Sequence, residues 1–215
     1  ALPIFHSINS AKQSKKFSRV LVFTDSKEIQ EVSIQYGAEA PVLRPPETAT
    51  DNAHMFLTYK FAMEFLQSRN ELPHSFCALL PTTPLRSIEV INRTIEKIQS
   101  GRYDWVFSIN EIEHHPYRAM QISDTDYLKP FHPIDSMTLW SNRQELPKLF
   151  RFNGGTMSGL SMHALTNNEY NFDGIGSFDT RVGFVEMSQE ESLDIDSELD
   201  LEIVEKVMQK RRGFF

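Results

Sequence analysis

FCALLPTTPLRSIEVINRTIEKIQSGRYDWVFSI, residues Phe76 to Ile109, is the stretch on which the fold turns. Phe76 to Leu80 is an apolar run that reads as a buried strand, and the proline-framed PTTPLR at Pro81 to Arg86 closes it. Ile88, Ile91, Ile95 and Ile98 then recur at helical spacing on one face, and Trp105 to Ile109 returns to an apolar strand. Strand, helix and strand in that order predict helices packed on a mainly parallel sheet, an α/β class. The same alternation holds upstream. Ile4 to Phe17 reads as a helix, Arg19 to Phe23 (RVLVF) as a buried strand ended by Thr24 and Asp25, and Ile29, Val32 and Tyr36 as one face of a second helix that stops at Gly37. LRPPETATD, Leu43 to Asp51, is a loop in which Pro45 and Pro46 forbid regular structure, and Phe56, Tyr59, Met63 and Leu66 mark the next helix.

Past Glu111 the alternation fades. Arg118 to Gln144 reads as short strands and turns with no helix signal, so residues 111–155 are expected to form a small β-rich insertion within a single domain spanning 1–215. Order returns with a strand at Val182 to Val185 and a last helix carrying Leu199, Ile203 and Val207 inward. The neighbouring His114 and His115 make a poor metal pair, because a strand would send them to opposite faces.

Composition narrows the chemistry. A chain of 215 residues can bury roughly 70% of its unfolded surface without staples. The single cysteine, Cys77, excludes an intramolecular disulfide and argues against a cysteine-based zinc site, which fits a reducing, cytoplasmic setting. A net charge of −7 and a pI near 5.5 argue against a general nucleic-acid binder. Apolar runs fall far short of the roughly 20 residues that cross a bilayer, so no membrane role is expected.

Three features can carry chemistry. In Leu193-Asp194-Ile195-Asp196-Ser197 apolar and acidic residues alternate, and in an extended segment this sends both carboxylates to one side and Leu193 and Ile195 into the core. Paired carboxylates suit Mg²⁺, a hard ion that takes one or two of them together with substrate phosphates; an acidic strand end in water is the alternative. Ser197 and Asp200 have the spacing to cap the last helix. Arg44 in LRPPETATD and Arg86 in PTTPLR follow strand ends, where open α/β sheets bind ligands, and Thr50, Asp51, Thr82 and Thr83 add short polar groups; solvated turns explain them as well. Arg143-Gln144-Glu145-Leu146-Pro147 followed by Asn153-Gly154-Gly155 offers a cation, an amide and two residues that admit close backbone approach, or simply a turn.

The order TDS (Thr24 to Ser26), RPPETATD (Arg44 to Asp51), LLPTTPLR (Leu79 to Arg86), NRQELP (Asn142 to Pro147), NGG (Asn153 to Gly155) and SLDIDSELD (Ser192 to Asp200) resembles the acylneuraminate cytidylyltransferases, or CMP-sialic acid synthetases, and their legionaminic and pseudaminic acid relatives. The resemblance implies a Rossmann-like nucleotide-diphospho-sugar transferase fold, similar to glycosyltransferase A, with a mixed sheet, helices on both faces and a β-rich dimerisation insertion. It implies a homodimer that transfers CMP from CTP to the anomeric hydroxyl of an acidic nine-carbon 2-keto sugar and releases pyrophosphate. By position, Asp194 and Asp196 match the Mg²⁺ ligands and catalytic carboxylates, and Arg44, Thr50 and Asp51 match the nucleotide pocket. Thr82, Arg86, Arg143, Asn153 and Met157 match the sugar side.

The departures are specific. Leu80 stands where the family usually has a glutamine whose amide meets the sugar, and Met157 where NGAIY has its tyrosine. The family's opening strand and its phosphate loop, R-x-G-S-K-x-x-P-x-K-N, have no counterpart in these residues, so an N-terminally incomplete chain is expected, with a buried strand position either vacant or filled from elsewhere. These departures leave a second reading: a non-catalytic homologue that binds a nucleotide or sugar, or serves as a partner subunit.

Overall fold

The computed structural model describes residues 3–50, 52–123, 126–166 and 180–211. In chain order its elements are α1 (Pro3–Ser14), α2 (Lys27–Gln35), α3 (Met55–Ser68), β1 (Ser75–Ala78), α4 (Ile88–Gln99), β2 (Trp105–Glu111), β3 (Met120–Ile122) and β4 (Leu128–Pro130). There follow α5 (Ser136–Trp140), β5 (Phe150–Leu160), α6 (Ser161–Thr166), β6 (Val182–Glu186) and α7 (Glu198–Arg211). The chain divides into two compact units, Ala1–Ile109 with Asn153–Phe215, and Asn110–Phe152. Among the described residues no helix is long and apolar enough to cross a membrane.

The first unit is built on a mixed sheet of order β1-β5-β2-β6, in which β1 and β5 are antiparallel and β2 and β6 parallel. Side chains alternate across β2. Trp105 and Phe107 pack with Ala62, Met63 and Leu66 of α3, Met157 of β5 and Ala164 of α6, whereas Val106 packs on the opposite face with Val90 and Ile98 of α4, Val185 and Met187. Helices therefore cover both faces, and β2 is buried on each. Of the four isoleucines that mark α4, Ile91, Ile95 and Ile98 are buried and Ile88 is half-buried, and Ser87 caps the first turn. At the end of α2 the Gly37 N–H donates to Ile34 and the Ala38 N–H to Ser33, a Schellman ending that needs the φ of +79° Gly37 adopts.

Several expectations are corrected. The mainly parallel sheet gives way to a mixed one because β5, an antiparallel neighbour of β1, runs through Asn153-Gly154-Gly155, which the sequence presents as a turn. RVLVF is not a strand of this sheet. It forms isolated parallel bridges, Leu21 with Glu39 and Thr24 with Leu43, and Arg19 ties the pair together through Glu39 and Glu71. A cavity of about 550 Å³ is lined both by Arg19–Phe23 and by Ser75–Pro81, with α1, α3 and α4 contributing Ile8, Met63 and Ile98, and no described strand joins the two segments. Cys77 lines that cavity, where burial pushes its thiol up to about 12 and keeps it protonated and unreactive at neutral pH.

The loop at Leu43 to Asp51 holds one 3₁₀ turn, Pro46–Thr48, because proline at its first position lacks only an N–H that the turn does not use. On α7 it is Val204, not Leu199 or Ile203, that is buried, so the inward face is turned by one position. In the second unit β3 and β4 pair as a hairpin with Met120 opposite Pro130 and Ile122 opposite Leu128. That unit also holds a helix the sequence does not announce. α5 has only five residues, too few to show a period, and exists because Asp135 caps it, accepting from the Thr138 N–H at 2.9 Å.

Gly159 of β5 lies against the face of the Trp105 ring, and a Cβ there would fall inside contact distance of that ring. Gly159→Ala is expected to lower unfolding free energy by about 1–3 kcal/mol, since Trp105 is fully buried and cannot swing away. Denaturant melts of parent and variant check this; an unchanged midpoint would mean the core is looser than the packing shows.

Candidate active site

The site is built around the turn that closes β1. The Leu80 carbonyl accepts from the Thr83 N–H at 3.4 Å, from the Ser7 hydroxyl of α1 at 3.4 Å, and from Nη2 of Arg86. This folds Pro81–Leu85 back on itself and buries Thr83 completely. Thr83 then donates its hydroxyl to Oδ1 of Asp194 at 3.3 Å, and the Thr82 carbonyl accepts from the Ile195 N–H at 2.9 Å. Two segments more than a hundred residues apart are thus joined at one carboxylate. Gly154 of β5 completes the arrangement: a Cβ there would come 2.8 Å from Thr83 Oγ1, 3.0 Å from Leu80 Cδ1 and 3.6 Å from Asp194 Oδ2.

On the other side of Asp194 the chain is anchored by α7. Ser197 and Asp200 form its cap: the Ser197 hydroxyl donates to Asp200 Oδ2 at 2.7 Å, and that oxygen also accepts from the Asp196 N–H at 3.2 Å. The Asp200 N–H returns the contact to Ser197 Oγ at 3.3 Å, as the spacing predicts. These bonds hold the Asp200 carboxyl below the usual carboxylate range. The segment between is not the regular strand expected, and Leu193 and Ile195 are half-buried rather than core; the bond to Thr82 and the cap on α7 shape it instead. Asp194 is half-buried and Asp196 exposed, and among the described residues neither forms an ion pair.

The donor chemistry fits Mg²⁺. Among the described residues no cluster of three or more His, Cys, Asp or Glu could cage an ion, but Mg²⁺ needs only one or two carboxylates when phosphates supply the rest. Asp194 offers a carboxylate whose Oδ2 faces the side-chain-free Gly154.

A buried polar chain sets Asn153. Ser108 of β2 donates to Asn153 Oδ1 at 2.5 Å and accepts from the Thr156 N–H at 2.7 Å, Gly155 donates to the same Asn153 oxygen at 3.1 Å, and Thr156 meets Thr94 of α4 at 2.8 Å. Neither Ser108 nor Ser7 is among the candidates read from the sequence; a polar break inside the apolar run WVFSI is the signal for Ser108, and Ser7 carries none of its own in α1. Arg44 is clamped: Nη2 reaches Asp25 Oδ1 at 3.1 Å, and Nη1 reaches the Thr48 carbonyl at 2.9 Å and the Thr58 hydroxyl. The TDS and RPPETATD motifs are joined by that contact. Thr50 is exposed nearby in sequence, and Asp51 lies outside the described residues.

Two expected sugar-side residues are placed differently. Met157 is 7% exposed and packs in the core against α3, because the alternation along β5 turns it inward. Arg86 is 4% exposed and spends its donors on Leu80 and Ser7. Arg143 is exposed and belongs to the second unit, at the start of a 3₁₀ turn that Asn142 and Glu145 cap. His115 accepts from the Tyr117 N–H at 3.2 Å and caps a turn, so it has a structural use.

The sequence profile described as cytidylyltransferase matches residues 3–215. This chain belongs to the cytidylyltransferase family. The family is one of nucleotidyltransferases, and three relatives show its range. The chain is 30% identical to pseudaminic acid cytidylyltransferase of Campylobacter jejuni over 74% of this chain and 67% of that one. It is 29% identical to CMP-N,N'-diacetyllegionaminic acid synthase of Legionella pneumophila over 96% of this chain and 84% of that one. It is 28% identical to N-acylneuraminate cytidylyltransferase of Escherichia coli over 96% of this chain and 46% of that one. Among solved structures, CMP:2-keto-3-deoxy-manno-octonic acid synthetase in complex with CTP superposes with a TM-score of 0.67 at 13% identity, over 97% of this chain and 88% of that one. That likeness shows the fold: the Rossmann-like mixed sheet expected of a CTP-using transferase.

In this cytidylyltransferase, Gly154→Ala is expected to push the Thr83 hydroxyl off Asp194 and slow nucleotidyl transfer roughly tenfold or more, about 1.4 kcal/mol of barrier. Steady-state rates alongside a thermal melt check it. Parent-like turnover in the variant would show that Thr83 does not set the carboxylate.

Proposed function

We propose that this chain transfers CMP from CTP to the anomeric hydroxyl of an acidic nine-carbon 2-keto sugar of the pseudaminic, legionaminic or sialic type, releasing pyrophosphate in a Mg²⁺-dependent reaction. The observation that carries the reading is the Thr83–Asp194 contact, which joins LLPTTPLR to SLDIDSELD and fixes one carboxylate of the acidic pair beside Gly154. The names of the relatives support the substrate class.

In the reaction the sugar hydroxyl oxygen attacks the α-phosphorus of CTP. A new P–O bond forms, the bond to the pyrophosphate oxygen breaks, and the hydroxyl proton is lost. Such transfer rests on positioning and charge neutralisation rather than on a covalent enzyme intermediate. Asp194 and Asp196 would hold the metal, which when bound offsets phosphate charge. Arg44, clamped by Asp25, Thr48 and Thr58, presents a preset edge for the nucleotide, and Thr50 and Asp51 are assigned to the same pocket by their place in the motif. Asn153, oriented by Ser108, and Thr82 and the Leu80 side chain are assigned to the sugar side; Arg143 carries a sugar-side role by its motif position alone.

Pyrophosphate release from CTP with each of the three sugar types tests the reading. Release is expected with at least one of them and is abolished by EDTA. Asp196→Asn is expected to keep the parent's melting temperature, since Asp196 is exposed, and to lose at least a hundredfold in kcat. Full activity in that variant would remove the metal role. The apolar Leu80 beside Gly154 favours one alternative, a homologue that binds without turnover, and calorimetry would show it as CTP titrating with no product.

Dimerisation is assigned to the second unit, where Ile122, Leu128, Phe131, Met137 and Trp140 are each more than half exposed. Apolar side chains gathered at that exposure mark an interaction surface. Light scattering is expected to give a dimer at micromolar concentration, and Ile122→Lys with Trp140→Ser a monomer. A monomeric parent overturns the assignment.

A further inference from the structure

Arg86 is a buried cation without a carboxylate partner. It is 4% exposed, and among the described residues it forms no ion pair. Nη2 donates to the Leu80 carbonyl and Nη1 to Ser7 Oγ at 3.0 Å, while Nε is buried with no hydrogen-bond partner among the described residues. Burial of this kind works against the charge and pulls the guanidinium down to about 10, so it stays charged at neutral pH. A side chain kept charged under those conditions contributes more than packing, because an apolar residue of similar volume would fill the space without the desolvation penalty.

The contact chain says what it contributes. Arg86 and Leu80 are the two ends of the Pro81–Leu85 turn, and the guanidinium closes that turn by gripping the Leu80 carbonyl. The same carbonyl receives Ser7 and the Thr83 N–H, so α1, the turn and Arg86 meet at one oxygen. From the turn, the Thr83 hydroxyl and the Thr82 carbonyl reach Asp194 and Ile195. The charge of Arg86 is also within electrostatic reach of Asp194, without touching it. We infer that Arg86 is a positioning residue: it closes the Leu80–Arg86 turn and, through Thr82 and Thr83, sets the Asp194 carboxylate, rather than binding sugar or phosphate itself. The inference rests on the proposed function for what Asp194 does, but the relay itself concerns only this chain.

The test compares Arg86→Met, Arg86→Lys and Ser7→Ala with the full parent chain, by amide hydrogen exchange and by steady-state kinetics. In Arg86→Met the amides of Ile195 and Thr83 are expected to exchange at least tenfold faster, while those of α4 and β2 keep the parent's protection. Turnover is expected to show a kcat lowered tenfold or more, with KM for the sugar and for CTP within about twofold of the parent. Arg86→Lys, which can serve one of the two acceptors, should recover part of both losses, and Ser7→Ala should show a smaller loss of the same pattern. Should Arg86→Met fail to fold, the lysine and Ser7 variants carry the comparison. Unchanged exchange at Ile195 in the variants overturns the relay, and a rise confined to the sugar KM makes Arg86 a substrate ligand instead. If the parent transfers no CMP at all, the proposed function falls, and the exchange arm still decides the relay.

Discussion

Close approach along β5 is the constraint from which the rest follows. This strand lies between β1 and β2 in the sheet, and where it passes the Pro81–Leu85 turn and the Trp105 ring it must present no side chain. Gly154 leaves the space in which Thr83, Leu80 and Asp194 meet, and Gly159 accepts the buried face of Trp105. Between them β5 alternates normally, sending Met157 to the α3 core and Thr156 to Thr94 of α4. The core and the site are therefore set by the same strand, and shifting its register by one residue would put side chains where both require none.

That arrangement explains what could and could not be read beforehand. α4 was legible because four isoleucines at helical spacing have no reading other than one buried face, and the end of α2 because Gly37 supplies the backbone conformation its last turn needs. The cap of α7 was legible from Ser197 and Asp200 alone, since a capping contact is local. β5 was not, because Asn-Gly-Gly is a turn signal whenever nothing says what crosses it; the crossing partners Thr83 and Trp105 lie far away in sequence. RVLVF failed for the converse reason. Its composition is that of a buried strand, yet strand character depends on neighbours on both edges, and among the described residues it has only Glu39–Leu43 on one.

Candidate residues divide along the same line. Asp194 and Asp196 stood out because alternating acid and apolar residues are unusual, and the structure brings Asp194 to the LLPTTPLR turn. Arginines were harder to read. Arg44 and Arg86 follow strand ends in similar loops, but Arg44 keeps part of its side chain at the surface and pairs with Asp25, whereas Arg86 turns inward onto a carbonyl. Nothing local separates them; what does is Ser7, an acceptor delivered by α1 from the other end of the first hundred residues.

Fixing a carboxylate from both sides has a chemical consequence. The segment from Leu193 to Ser197 has few regular contacts of its own, and left free it would sample many conformers, each costing entropy to select when a substrate arrives. The Ile195–Thr82 bond holds its middle and the Ser197–Asp200 cap its end, so that selection is made on folding rather than at each binding event. The N-terminus of α7 adds a partial positive charge just past Asp196. Thr83 holds Asp194 by donating its hydroxyl to it. The backbone that carries both carboxylates is thus set by one backbone bond and one helix cap before any cation arrives.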